Sequence, residues 1–278
     1  MEKSPLRNSR RPDYATLAGI VLAIAGVVGG LILEKGKLQD ITQFTAFLIV
    51  FGGTLGAVLV STPPSVMKRA LARSRTLLVA ESSNDAQWIE RIVQCAIHAR
   101  RNGIVSLENK VEEFGHPFLR KGLNLAVDGV DTKEIRAMLE LEMRQAEDRA
   151  ERDAKVFEAA GGYSPTIGII GAVMGLIQVM KHLENISEVG KGIAVAFVAT
   201  VYGVGLANLL LLPAAMKIRA RMRMEWTTCE LMMEGIISIA EGLNPKLIRD
   251  KLESFLEHPP APPNRPVQVA APAKAARG

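Results

Sequence analysis

Four stretches of this chain are apolar throughout and hold no Asp, Glu, Lys, Arg or His: Tyr14–Leu33, Phe44–Ser61, Thr166–Met180 and Ile193–Met216. Each approaches the ~20 residues that carry a helix across a bilayer. The first two are joined by the short polar turn Glu34-Lys35-Gly36-Lys37, and the last two by another short polar segment, so the pattern predicts two membrane hairpins. A long charged stretch separates the hairpins. The predicted fold class is therefore an all-α membrane protein: four transmembrane helices with a large helical cytoplasmic domain between spans 2 and 3.

Outside the spans the apolar positions follow helical spacing. Thr62-Pro63-Pro64-Ser65 ends the second span, because proline cannot continue a helix and restricts the residue before it. Ser65 is placed to cap an amphipathic helix from about Val66 to Val79. Trp88, Ile89, Ile92, Val93 and Ile97 form one stripe of a helix over Asp85–Arg101, which Asn102-Gly103 breaks. Short helices are expected from Leu107 to Phe114 and from Pro117 to Val127. Asp131 and Glu134 have capping-box spacing and open a charged helix to about Ala160. Gly161-Gly162 is expected to interrupt that helix, leaving Pro165 in the first turn of the third span. The fourth span continues through Lys217–Glu241, and Asn244-Pro245 starts a last helix reaching about Glu257. The chain thus divides into a basic start (1–13), a first hairpin (14–61), a cytoplasmic region (62–162), a second hairpin (163–216), C-terminal helices (217–258) and a Pro/Ala-rich tail (259–278) expected to be disordered.

The net charge of +5 says less than its distribution. One side of the spans is flanked by Lys3, Arg7, Arg10 and Arg11, by Lys68, Arg69, Arg73 and Arg75, by Arg149, Arg152 and Lys155, and by Lys217, Arg219, Arg221 and Arg223. The short loops on the other side hold only Lys35, Lys37, Lys181 and Lys191. The positive-inside rule places both termini and the middle region in the cytoplasm. The basic flanks lack the aromatic interleaving of a nucleic-acid surface, so no nucleic-acid partner is expected. Span 1 is too long for a typical signal-peptide core and no clear A-x-A site follows it, which predicts an uncleaved span. Cys95 and Cys229 lie in predicted cytoplasmic helices without metal-ligand spacing, and read as structural. There is no phosphate loop, nucleophile triad or paired carboxylate, which argues against an enzyme, and no cofactor is implied.

The absence of ionisable groups within the spans has a mechanistic consequence. Membrane ion carriers usually hold a titrating group near the midplane, so a partner would have to supply it here. Gly168, Gly171 and Gly175 in the third span, with Gly203 and Gly205 in the fourth, are small residues that let helices approach closely. They line either an inner interface or ordinary packing within one subunit. Thr200 bonds back to its own helix or faces a water-bearing path, and hydroxyls such as those of Thr200 and Tyr202 orient water without titrating at ordinary pH. Pro165 and Pro213 fall at similar predicted depth, where two membrane helices could bend. In the cytoplasmic region, Arg100, Arg101 and Glu108 flank a turn at Gly103 within a dense run of mixed charge. Such a run is usually a solvated face, yet charges also suit a contact that forms and releases repeatedly.

Three segments resemble the MotA family, the A subunits of bacterial flagellar stators that include the MotA, MotP and PomA branches. They are Ala99-Arg100-Arg101-Asn102-Gly103-Ile104-Val105-Ser106-Leu107-Glu108, the run Ser164-Pro165-Thr166-Ile167-Gly168-Ile169-Ile170-Gly171-Ala172-Val173-Met174-Gly175, and Pro213 closing the fourth span. The third-span motif is shared with the wider MotA/TolQ/ExbB proton-channel group. The resemblance spans nearly the whole chain, and Asn244-Pro245 with the helix after it resembles the PomA-like branch.

The resemblance implies a ring of five A subunits around two MotB-type subunits, each a one-span, peptidoglycan-binding protein contributing an essential aspartate. It implies that ion passage turns the ring against the rotor protein FliG in the bacterial inner membrane. Carried over by position, Arg100, Arg101 and Glu108 face the rotor, Pro165 and Pro213 couple ion binding to movement, and Thr200, Ala172 and Tyr202 line the ion path. Sodium-driven relatives typically have threonine where this chain has Ala172. Losing that hydroxyl removes an oxygen ligand that a dehydrated cation needs, so protons are expected and sodium is less favoured. Asn109 stands where some relatives carry a carboxylate. The rival readings are a TolQ- or ExbB-like energiser of an envelope system, which the four-span layout opposes, and a self-sufficient transporter, which the acid-free spans oppose.

Overall fold

The computed structural model describes residues 12–79, 85–108 and 115–256. They form helices connected by short turns, with one isolated bridge between Pro12 and Val79 in place of any strand among the described residues. The expected helix after Leu107, the basic start and the Pro/Ala tail lie largely or wholly outside the described residues.

The first span is α1 (Tyr14–Leu33), and it begins where Asp13 accepts the Thr16 N–H at 3.1 Å. This satisfies one of the N–H groups that a helix start leaves open. None of its residues is buried. Lys35, with φ 61°, turns the chain out of α1, and a short 3-10 turn at Leu38–Ile41 leads to α2 (44–61). One π-helical turn, Leu48–Gly52, interrupts α2.

Pro63 and Pro64 then redirect the chain into α3 (Pro64–Thr76). The expected cap at Ser65 is not used. Pro63 occupies the cap position and Pro64 the first turn, where a missing N–H costs nothing because that group has no partner within the helix.

The part outside the spans is built from α4 (Asp85–Asn102), α5 (Pro117–Val127), α8 (Pro245–Glu253) and the outer halves of two long helices. Their shared core includes Ile89, Ile92, Leu119, Leu123, Ile135, Leu139, Leu231, Met232, Ile236 and Ile248, all at most 2 % exposed. The interlocking is tight enough to require glycine: a Cβ at Gly122 would stand 2.4 Å from Ile236 Cδ1. Cys95 and Cys229 are both buried and unbridged, and burial pushes the Cys229 thiol up to about 12.

The two long helices are α6 (Thr132–Lys181) and α7 (Ile186–Ala240), of 50 and 55 residues. Each joins a charged outer half to an apolar membrane half. Two expectations are corrected here. Gly161-Gly162 does not interrupt α6, and Pro165 lies inside the helix instead of in its first turn. The reason is tertiary: Leu212 of α7 packs on the bare backbone of Gly161, where a Cβ would come within 2.7 Å of Leu212 Cδ2. The helix that carries the fourth apolar run starts before Ile193, since the Asn185 side chain accepts the Ser187 N–H at 3.1 Å and α7 begins at Ile186. The added turns carry Glu188 and Lys191, which pair at 2.8 Å.

Large apolar side chains remain outward along all four membrane segments, among them Leu22 at 74 %, Val60 at 91 %, Ile169 at 57 % and Phe197 at 72 % exposed. A surface of this kind is stable against lipid tails or other membrane helices, and not against water.

Candidate functional site

The membrane halves of α6 and α7 meet along the small-residue stripe. A Cβ at Gly168 would lie 2.9 Å from the Ala199 carbonyl oxygen, and one at Gly175 would lie 2.7 Å from the Gly192 carbonyl oxygen. Gly203 is the closest approach: a Cβ there would be 2.6 Å from Ser164 O and 3.2 Å from Pro165 Cα. The glycines therefore bring two helices of one chain together, which decides in favour of packing within the subunit. Gly205 has nothing within 4 Å of its Cβ position and takes no part in this contact.

Pro165 sits beside that closest approach and has no N–H to offer the Gly161 carbonyl. Pro213 is exposed and follows a π-helical turn, Ala207–Leu211. Such a turn absorbs the mismatch that a proline forces on the helical ladder. Gly203 stands against Pro165, and Pro213 follows Gly203 by ten residues, roughly 15 Å along α7 at about 1.5 Å per residue. The expected similar depth is thus corrected: the prolines lie more than one turn apart along the α6–α7 pair, because the two helices run antiparallel and Pro213 lies beyond the Leu212–Gly161 contact.

Thr200 and Ala172 are both half-buried and close to each other in the packing. The Thr200 Cα is 3.5 Å from the Cβ position of Gly168, and Ala172 lies one turn further along α6. The Thr200 hydroxyl donates to the Ala196 carbonyl of its own helix at 3.2 Å. Tyr202 is directed elsewhere. Its hydroxyl donates to the Ile41 carbonyl at 2.5 Å and accepts the Gln43 N–H at 3.4 Å, tying α7 to the start of the second span.

Arg100 and Arg101 end α4, and Glu108 follows a 3-10 turn at Ile104–Leu107. Gly103 adopts φ 83°, a backbone region that side chains disfavour, and so lets the chain reverse. The fully buried Leu107 anchors the turn, and the Ser106 hydroxyl closes it on the Gly103 carbonyl at 2.6 Å. All three charged side chains are exposed on this tip, and among the described residues no ion pair engages them. Lys110, Glu112 and Glu113 lie outside the described residues.

Three charge clusters that sequence reading missed lie where the membrane helices meet the part outside the spans. Asp153 of α6 is fully buried, with Arg69 Nε at 2.7 Å and Arg73 Nε at 3.5 Å from α3. A signal existed, since Asp153 lies among Ala150, Ala154 and Val156 on the otherwise small, apolar stripe of a charged helix. At the start of α1, Asp13 pairs with Lys217 and lies near Arg221, and the Lys217 ammonium and the Thr16 N–H hold its carboxyl down to about 2. Arg221 also donates to the carbonyls of Thr76, Leu77 and Val79 at the end of α3. Arg219 binds both Glu151, in a two-pronged contact, and Glu158.

Comparison with known proteins places these features in a family. The motility protein A N-terminal model matches residues 17–99, and that of the MotA/TolQ/ExbB proton channel family matches residues 110–231. Motility protein A of Bacillus subtilis is 35 % identical over 88 % of this chain and 91 % of its own length. Chemotaxis protein PomA of Vibrio alginolyticus is 30 % identical over 88 % of this chain and 95 % of its own length. The expected leaning toward the PomA-like branch therefore gains no support from identity. The solved structure of C. jejuni MotAB superposes with a TM-score of 0.84 at 32 % identity, covering 88 % of this chain and 96 % of that one. The chain belongs to the motility protein A family, within the wider MotA/TolQ/ExbB proton channel family.

Proposed function

We propose that this protein is the A subunit of a flagellar stator that, with a MotB-type partner, couples inward proton flow to torque on the rotor. The observation that carries the reading is the continuity of α6 and α7. The same two helices pack the acid-free membrane pair and build the cytoplasmic core that supports the exposed Arg100, Arg101 and Glu108 tip. A displacement at the membrane level is thereby transmitted to the tip through rigid helix, without a flexible linker.

In this reading the second hairpin, residues 163–216, lines the ion path, and Thr200 and Ala172 stand beside an aspartate brought by the one-span, peptidoglycan-binding partner. Pro165 and Pro213 let the two helices flex, each at its own level, as that aspartate gains and loses its proton. Tyr202 contributes by holding α7 to the second span. Residues 62–162 present the rotor-facing charges to FliG, both termini lie in the cytoplasm, and five copies form the ring. The unburied α1 and the outward apolar faces of the spans support an assembly bounded by lipid and by other copies.

A strain deleted for this gene tests the reading. It should build flagella of normal length that do not turn, and restored rotation on complementation completes the test. A deletion strain that lacks flagella, or swims normally while carrying no other stator, overturns it.

A further inference from the structure

Several basic residues flanking the spans have partners inside the protein. Arg69 and Arg73 turn inward to Asp153, Lys217 and Arg221 to Asp13, and Arg219 to Glu151 and Glu158. Lys68 and Arg75 of α3 are among those that do not. Both are exposed, and among the described residues no ion pair reaches either. With Leu71 and Ala72 they follow the spacing i, i+3, i+4, i+7, so the four form one outward stripe with an apolar centre and a cation at each end. Leu71 is 57 % exposed.

The opposite face of α3 fixes its depth. Met67 and Ala70 pack with Val58, one turn before the end of α2, and with Val156 and Ala160, just before the apolar half of α6. The helix therefore sits at the level where the spans leave the bilayer, with Pro63-Pro64 turning the corner.

We propose that α3 lies along the membrane surface and docks on anionic phospholipid headgroups, with Leu71 reaching the acyl boundary and Lys68 and Arg75 pairing with headgroup phosphates. The proposal rests on the reading that this end of the spans faces the cytoplasm. An amphipathic helix at an interface gains from apolar insertion and from cations near a negative surface together. Because Arg69 and Arg73 bind the inner side of α3 to Asp153, a headgroup that grips the outer side also steadies the base of α6.

The test uses the full chain purified with its one-span partner and reconstituted in nanodiscs, with Leu71→Trp as the reporter. Fluorescence from Trp88 and Trp226 is subtracted using the parent protein. Acyl-brominated phosphatidylglycerol and acyl-brominated phosphatidylcholine are compared at equal mole fraction. Two cations at the surface favour the charged lipid by a factor on the order of ten, so the phosphatidylglycerol form should quench at much lower mole fraction. K68Q/R75Q should remove the preference while leaving quenching itself. Equal quenching by both lipids overturns the headgroup recognition. Quenching by neither overturns the docking and leaves the stripe to a protein neighbour. The orientation is read separately from Ala72→Cys, since Cys95 and Cys229 are buried. A membrane-impermeant maleimide should label it in inverted vesicles and not in spheroplasts, and the reverse overturns the orientation while the quenching result stands alone.

Discussion

The Ser164 hydroxyl of α6 donates to the Gly203 carbonyl of α7 at 3.0 Å, fully buried, at the point where the two helices come closest. This bond and the missing Gly203 side chain fix the register of the pair beside Pro165. Gly203→Ala would place a methyl 2.6 Å from Ser164 O, against backbone that cannot swing away. Overpacking of this kind costs about 1–3 kcal/mol. Thermal unfolding of the detergent-solubilised protein should show that loss together with reduced swimming. Gly205→Ala, with open space around it, should be close to neutral.

Asp153 is the buried half of a pair whose arginines are partly exposed, at 38 % and 34 % for Arg69 and Arg73. Breaking a fully buried pair costs several kcal/mol, and partial exposure reduces that, so Asp153→Asn should lower stability by about 1–3 kcal/mol. The loss should be local as well as global. Limited proteolysis should find new cleavage within α3, and an unchanged digestion pattern would remove the linking role.

Arg100→Glu should impair swimming while leaving membrane assembly intact, because the side chain is exposed and lies outside the core. Swim-zone diameter and membrane-fraction immunoblots measure the two effects. Normal motility would count against a rotor contact at this tip.

The coupling ion follows from Ala172. Swimming should collapse with a protonophore and be indifferent to external sodium, because no hydroxyl at that position completes a ligand set for a dehydrated cation. Strict sodium dependence of swimming speed would overturn the argument.

The Asp13 carboxyl is held down to about 2 from an ordinary value of 3.8. A lowered folded-state value means that its contribution is complete above 3.8 and is lost as pH falls through about 2. Acid titration of the solubilised protein should therefore show a component between those values that Asp13→Asn lacks. Between pH 5 and 8 this group should add no pH dependence.

The sequence by itself determined the four spans, the cytoplasmic helices and the Arg100–Glu108 turn. Bilayer length, helical period and a glycine at positive φ are local requirements, each written in neighbouring residues. α1 accordingly begins and ends at Tyr14 and Leu33, as its apolar run predicts. The candidate roles of Thr200, Ala172, Pro165 and Pro213 come from the family resemblance and belong to the proposed reading.

The tertiary structure alone decided how those parts connect. Gly161-Gly162 would break an isolated helix, yet Leu212 packing and the Ser164–Gly203 bond keep α6 continuous through it. Ser65 has good capping chemistry, and the preceding prolines pre-empt it. The partners of Asp153 and Asp13 lie 84 and 204 residues away in sequence, beyond the reach of any periodicity. A run of residues records what each element prefers alone; which elements meet depends on the summed packing of the whole chain, and that made the single long helix α6 out of two segments that read as separate.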